Sequence, residues 1–192
     1  MGNLPAAMKL LSRLFLALLL VGSLGFATAC GEKSSELIAE SEGGYVELDG
    51  LQYQVQISRV LNPADPGDRS YLTGLDAEDE TLPKDTDWFG VFIRVKNEED
   101  EGEAKPTAEE FRIIDTQNNT YTPVPVDNVL AYRPAILEPK GLLPDPNSVT
   151  AESPTQGQLL LFKVPTASLD NRPLEFKIVG EGEEEGSVVL DV

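Results

Sequence analysis

The densest group of side chains that could carry chemistry is an acidic stretch near the middle of the chain. Its carboxylates are Asp76, Glu78, Asp79, Glu80, Asp85 and Asp87. Oxygen ligands at alternating positions can coordinate calcium, although this stretch lacks the glycine and the terminal glutamate of an EF-hand loop. The alternative is a solvated acidic loop that keeps sheet edges of different molecules apart. We assign no metal ligand here and keep a calcium-stabilised adhesion module as a function to be tested.

Paired carboxylates are a second set of groups that could be catalytic. The chain has no histidine, which excludes Ser-His-Asp and Cys-His catalysis and histidine-ligated metal sites. Two acids about 5–10 Å apart can hydrolyse glycosides if an apolar pocket raises the pKa of one of them. Every acidic cluster of this sequence lies in a polar stretch. We therefore expect a non-enzymatic protein without a cofactor, with a carboxylate-dependent cell-surface hydrolase as the alternative.

The single cysteine, Cys30, directly follows an apolar run at residues 14–29. The basic residues Lys9 and Arg13 precede this run, and no acid lies among the first 29 residues. A basic start, an apolar centre and small residues before a cleavage site are the order of a secretory signal. The run is shorter than the roughly 20 strongly apolar residues that span a bilayer. We predict a signal peptide at residues 1–29.

The tetrad Ala27-Thr28-Ala29-Cys30 resembles the lipobox of bacterial lipoproteins, with Ala27 where leucine is usual. The resemblance implies that Cys30 receives diacylglycerol after cleavage, and two or more acyl chains would anchor the chain stably. Residues 30–44 are polar and end in two glycines, which favours a flexible tether. We therefore expect an extracytoplasmic protein held at the cell membrane by its N-terminal lipid.

The charge balance restricts the partners of this protein. Its formal net charge is −18, from 33 acidic and 15 basic residues. Such a charge repels phosphate backbones and anionic lipid surfaces. We expect no nucleic-acid partner, and a surface protein or cell-wall component as the partner beyond the lipid anchor.

From Tyr45 onward, apolar residues recur at period two, which indicates strands with one buried face. Asp49-Gly50 favours a type I′ hairpin turn, since both central residues of that turn need positive φ. Thr107 and Glu110 have the spacing of a helical capping box. About eight strands are predicted, at residues 45–48, 51–60, 88–97, 111–115, 120–124, 158–164, 174–179 and 187–192. The pattern is typical of an antiparallel, immunoglobulin-like β-sandwich over residues 45–192.

A proline-rich segment at residues 126–156 interrupts the strands. Its spacing of prolines excludes a long regular element. Apolar side chains on such a segment form a possible ligand loop. They are Leu130, Tyr132, Ile136, Leu142 and Leu143. The alternative is that they cover an open end or edge of the sandwich.

A set of positions in and beside the predicted strands forms a recognisable pattern: Lys96, Asn97, Phe111, Ile113, Asp115, Tyr121, Pro123, Phe162, Val164 and Pro165. This pattern resembles that of the telokin-like, immunoglobulin-fold domain family of uncharacterised bacterial lipoproteins. The resemblance covers roughly residues 45–192, with the proline-rich segment as an insertion. It implies a β-sandwich behind a lipid anchor and brings no catalytic residue with it. The resulting hypothesis is a lipid-anchored binding or interaction module of unknown ligand.

Overall fold

A computed structural model describes residues 37–190, which form an all-β protein. The strands in these residues are β1 (Ile38–Ala39), β2 (Tyr45–Leu48), β3 (Leu51–Leu61), β4 (Thr86–Lys96), β5 (Lys105–Pro106), β6 (Glu110–Ile114), β7 (Thr120–Tyr121), β8 (Ile136–Leu137), β9 (Leu142–Leu143), β10 (Gln158–Pro165), β11 (Leu174–Val179) and β12 (Glu185–Leu190). The same residues also contain two short α-helices, α1 (Pro66–Arg69) and α2 (Thr166–Asp170), and two 3₁₀ turns, at Ser70–Leu72 and Glu181–Glu183.

Two sheets form the sandwich. The front sheet has the order β2-β3-β4-β10 and is antiparallel throughout, and β9 also pairs with the end of β4. The back sheet has the order β1-β12-β11-β6-β7. A separate ribbon of two strands joins β5 to β8. Alternation along β3 and β4 turns Tyr53, Val55, Val91 and Ile93 inward, where all four are buried.

Phenylalanines join the two sheets across the main core. The ring of Phe162 on β10 meets that of Phe176 on β11 edge to face, with 6.4 Å between centroids. Phe176 also stacks on Phe111 of β6 at 5.7 Å. All three side chains are at most 2% exposed, and full burial of one such side chain stabilises a fold by about 1.5–3 kcal/mol. The all-β sandwich predicted from the sequence is therefore confirmed.

The N-terminal edge of the back sheet corrects one predicted boundary. Ile38 and Ala39 of β1 pair in parallel with Ser187 and Val188 of β12, and Ala39 is buried in the main core. Residues 37–44 therefore belong to the sandwich, although their polar composition predicted a tether up to residue 44. The pairing is through backbone groups, which explains why composition concealed it. Cys30 and residues 1–36 lie outside the described residues, so their predictions are untested.

A second apolar cluster lies on the outer face of the front sheet. Its buried members are Leu61, Tyr71, Trp88, Phe92, Leu159 and Leu161. Residues 62–85 and 123–131 cover them, and a backbone hydrogen bond from Asp127 N to Gly74 O, 2.8 Å long, joins these two segments. Gly74 has a φ of 78°, and a Cβ at this position would collide with the carbonyl of Asp127. The strand β4 is thus buried on both faces at its start, as its sequence predicts.

The eight predicted strands correspond to β2, β3, β4, β6, β7, β10, β11 and β12, and residues 191–192 of the last prediction lie outside the described residues. Asp49 and Gly50 both have positive φ, as the predicted hairpin turn requires. The predicted helical turn after Thr107 is wrong, because the Thr107 hydroxyl accepts instead from Ala135 N at 3.0 Å. No helix in residues 37–190 is long and apolar enough to cross a membrane.

Candidate functional site

The proline-rich segment does not present its five apolar side chains together. Leu130 packs against the second apolar cluster, and Leu143 and Tyr132 pack against the main core. The Tyr132 hydroxyl donates to Ala108 O at 2.7 Å, and burial raises the pKa of this phenol. These three residues cover the sandwich, as the alternative interpretation of the segment proposed.

The remaining two predicted ligand residues lie in different places. Ile136 is 71% exposed on the β5–β8 ribbon. Leu142 pairs with Lys96 of the front sheet and lines a groove on the outer face of that sheet. Of the five predicted residues, Leu142 is therefore the one that contributes to the candidate site described next.

This groove, called the Arg94 groove below, has a volume of about 360 Å³. Two neighbouring rows of outward side chains form its floor. Tyr45, Gln54 and Arg94 are aligned across β2, β3 and β4, and Gln52 and Lys96 follow in the next row. The proline-rich segment supplies the opposite wall, made of Lys140, Leu142 and Pro146.

Arg94 stands at the junction of this groove and a smaller one. The smaller groove has a volume of about 210 Å³ and is lined by Arg94, Leu142, Pro144, Pro146, Ala151 and Gln156. Arg94, Leu142 and Pro146 line both cavities. Arg94 thus lies between strand residues on one side and the proline-rich segment on the other.

The guanidinium of Arg94 has no partner among residues 37–190. Of the twelve basic residues in 37–190, nine form ion pairs with an acid and three, Arg69, Arg94 and Arg172, form none. Arg69 and Arg172 are exposed to solvent, whereas Arg94 is partly buried. Within the described part of the chain, Arg94 also makes no hydrogen bond, although a guanidinium has five N–H donors. Partial burial without a partner makes it a candidate for binding an external acceptor.

The other polar groups of the groove are held by neighbours. Lys96 Nζ lies 2.6 Å from Glu98 Oε1, and Lys140 Nζ lies 2.8 Å from Asp100 Oδ1. Gln54 donates to Gly43 O at 2.6 Å and accepts from Gln56, so both ends of its amide are used. Gln52 donates to Glu47 Oε1 at 3.3 Å. The polar groups around Arg94, in the floor and in the wall, therefore already have partners within the protein.

The acidic stretch that could have bound calcium has protein partners for three of its carboxylates. Asp85 Oδ2 lies 3.8 Å from Lys84 Nζ. Asp79 accepts from Lys163 Nζ at 2.8 Å, and Asp87 accepts from the Thr166 hydroxyl at 2.6 Å. Lys163 also lies over the Trp88 ring, 5.2 Å from its centroid. Across residues 37–190, no three acidic or cysteine side chains are grouped closely enough to hold a metal ion.

Two carboxylates are buried in the described sandwich, and both have lowered pKa values. A hydrogen bond from Arg59 at 2.5 Å holds the pKa of Asp68 below its usual range. Burial alone would raise the pKa of Asp115, but hydrogen bonds from Asn119 and Tyr121 outweigh it and hold this pKa well below the usual range. A general acid needs a raised pKa, so the geometry of these carboxylates suits structural bonding.

Asn97 and Asp115, two positions of the family resemblance, also have structural contacts. Asn97 is fully buried and donates from Nδ2 to Leu137 O at 3.1 Å, which ties the end of β4 to β8. Asp115 closes the turn between β6 and β7 by accepting from Gln117 N and Asn119 N, both at 2.9 Å. Both side chains thus hold elements of the sandwich together.

Sequence reasoning missed Arg94 as a functional residue. The period-two pattern of β4 places Arg94 and Lys96 on the outer face, opposite the outward glutamines of β3. Two cations on the same face of one strand are unusual in so acidic a chain, and this pattern could have indicated a binding site. The absence of a partner for Arg94 could not be read from sequence, since Glu98 and Asp100 follow closely and pair with Lys96 and Lys140 instead.

Comparison with known proteins finds two similar solved structures. One is that of a candidate lipoprotein (ycdA) from Bacillus subtilis, with 12% identity and a TM-score of 0.48 over 79% of this chain and 39% of that one. The chain thus spans about two fifths of the length of that protein. The other is an uncharacterised β-sandwich protein from Clostridium difficile, with 8% identity and a TM-score of 0.42 over 80% of this chain and 95% of that one. No protein-family model and no curated protein matches the chain.

Proposed function

We propose that this protein is a non-enzymatic binding module, anchored outside the plasma membrane by a lipid on Cys30. The observation that carries the binding function is Arg94, a partly buried residue whose guanidinium has no partner among residues 37–190, in a groove of about 360 Å³. Pockets of roughly 300–1,000 Å³ with a few placed polar groups are typical of ligand sites. The Arg94 groove is the binding surface in this proposal.

The lipid anchor is supported by the order of residues at the N-terminus. Lys9 and Arg13, the apolar run at 14–29 and the small residues before Cys30 agree with export and lipidation. A module held by lipid at the cell surface would meet surface proteins and wall components, which are the partners we propose. Membership of the telokin-like, immunoglobulin-fold family is part of the same proposal and rests on the sequence motifs.

The non-enzymatic part of the proposal is supported by the chemistry of the described residues. The two buried carboxylates have lowered pKa values and are bonded to protein donors. Arg94 can bind and orient an acceptor, but a guanidinium stays protonated and cannot serve as a general base near neutral pH. The geometry therefore favours recognition over catalysis.

Site-specific photocrosslinking in living cells tests this function. The full chain carries a photoreactive amino acid in place of Leu142, within the groove, or in place of Val129 as the control. Val129 lies on the same proline-rich segment, is 77% exposed and does not line the groove. We expect one discrete adduct from position 142 and none from position 129. No adduct at 142, or the same adducts at both positions, would contradict the proposed function.

A further inference from the structure

We infer that the Arg94 groove binds a single carboxylate group on a small, partly apolar body. This inference rests on the proposed function, since it names the chemical class of the ligand for the same groove. A free carboxylic acid and the C-terminus of a peptide share this chemistry. The charge of the groove, the shape of the guanidinium and the polarity of the walls all favour such a ligand.

The charge of the groove matches one negative charge. Three cations line it, at Arg94, Lys96 and Lys140. Glu98 neutralises Lys96 and Asp100 neutralises Lys140, at 2.6 and 2.8 Å. One positive charge, that of Arg94, is left without a counter-ion among the described residues. A monoanion would neutralise this one positive charge. A phosphate dianion would instead leave excess negative charge beside Glu98 and Asp100.

The electrostatic field of the whole protein also favours a ligand with a single negative charge. A net charge of −18 repels a polyanion at long range, so phosphodiester chains and acidic polysaccharides approach against a barrier. A small monoanion has far less charge to bring through this field and benefits from the local cation once it arrives. The ligand is therefore a single charged group or a chain end.

The form of the guanidinium favours a carboxylate among monoanions. Its planar fork of N–H donors matches two carboxylate oxygens in a bidentate pair. Because Arg94 is partly shielded from water, this pair gains more than an exposed one would. No neighbouring residue competes for these donors in the described structure.

The walls and the floor of the groove indicate what the rest of the ligand, beyond its carboxylate, is like. Leu142, Pro146 and the ring of Tyr45 offer apolar surface beside Arg94. The Gln52 amide donates to Glu47, which leaves its carbonyl oxygen to accept an N–H of the ligand. A groove of about 360 Å³ lies at the small end of ligand pockets. An apolar amino acid residue at a peptide C-terminus fits these features.

Titration of the full chain, purified in detergent micelles, tests the assignment. The probes are N-acetyl-leucyl-leucine with a free carboxylate, the same peptide as its C-terminal amide, isovalerate and inorganic phosphate. Binding is followed by chemical-shift changes of the protein. We expect the carboxylate peptide to bind about tenfold more tightly than the amide, the loss expected when one charge-assisted pair is missing. Isovalerate binding as tightly as the peptide assigns a free acid, and weaker isovalerate binding assigns a chain end.

Variants make the result specific to Arg94. Arg94→Gln is expected to abolish the preference for carboxylate over amide, and Arg94→Lys to restore part of it, because lysine keeps the charge but loses the fork. Arg69→Gln removes the same charge from an exposed residue outside the groove and is expected to keep the full preference. Thermal unfolding of each variant establishes that it is folded.

Three outcomes overturn the carboxylate assignment: equal binding of acid and amide, tighter binding of phosphate, or no binding of any probe. If the crosslink at position 142 is still formed in cells, the groove remains a binding surface and only the ligand class is wrong. If that crosslink is absent as well, the proposed function fails together with the assignment.

Discussion

Replacing Arg94 by methionine distinguishes a guanidinium kept for a ligand from one kept for stability. Methionine retains most of the aliphatic stem and removes only the charged head. Since Arg94 makes no hydrogen bond or ion pair in the described sandwich, its removal breaks no internal bond. Arg59→Met is the matched control, because Arg59 also lies on the front sheet but pairs with Asp68.

The structure gives very different magnitudes for the two changes. For Arg94→Met we expect the free energy of unfolding to change by no more than about 0.5 kcal/mol, as for other substitutions that remove no specific contact. Arg59→Met breaks a 2.5 Å bond to Asp68, whose side chain is only 9% exposed, and removes a cation from the face of Tyr71. With a discount for the partial exposure of Arg59, this loss is about 2–3 kcal/mol.

Thermal and urea unfolding of the full chain in detergent measure both effects. A loss of about 2–3 kcal/mol lowers the melting temperature of a chain of this length by roughly 5–10 °C. We expect this shift for Arg59→Met and a shift of less than about 2 °C for Arg94→Met. If Arg94→Met destabilises the protein as much as Arg59→Met, Arg94 has a structural role and the reasoning from its missing partner is wrong.

Three further predictions concern the sandwich and its anchor. Asp115→Asn should lower the free energy of unfolding by about 2 kcal/mol at pH 7, because the amide nitrogen meets donors from Asn119 and Tyr121. The pKa of Asp115 is lowered in the folded protein, so its carboxylate stabilises the fold above about pH 4, and this stabilisation is lost as the pH falls below that value. Urea unfolding at pH 7 and at pH 3 should therefore show the stabilities of the wild type and the variant converging at the lower pH. Gly74→Ala should lower the free energy of unfolding, measured in urea, by about 2–4 kcal/mol, because Gly74 has a positive φ and a Cβ there clashes with the Asp127 carbonyl. Gly43→Ala is the control: Gly43 also has a positive φ but lies in open space, so the loss should be only about 1 kcal/mol. Cys30→Ala should remove the diacylglycerol mass from the mature N-terminus in mass spectrometry and release the chain from the membrane, and an unmodified Cys30 in the wild type would contradict the anchor.

The strands could be predicted because they depend on the order of apolar and polar residues within each short segment. Period two along β3 and β4 follows directly from one buried and one exposed face, and Asp49-Gly50 sets its turn through φ alone. The edge strand β1 was not predictable, since its pairing uses backbone groups within a polar stretch. Thr107 likewise has a good helical capping spacing, but contacts with Ala135 and Tyr132 override it.

The candidate site was predictable only in part. The proline-rich segment was a sound place to look, and its Leu142 does line the groove. The other four predicted residues pack on the cores or lie on the ribbon, because the segment must also cover the open edge of β10 and the end of the sandwich. Whether Arg94 has an ion-pair partner depends on which acidic side chains lie close to which cations, and only the three-dimensional structure shows this.

The most direct measurement of the central claim is the rotational freedom of the Arg94 guanidinium in the unliganded full chain. Nitrogen-resolved NMR of the arginine side chains, assigned with Arg94→Met and Arg59→Met, compares the two groups in one sample. The structure predicts slow rotation for Arg59, held by Asp68, and fast rotation with averaged Nη signals for Arg94. Slow rotation of Arg94, equal to that of Arg59, would reveal an internal partner and contradict the account.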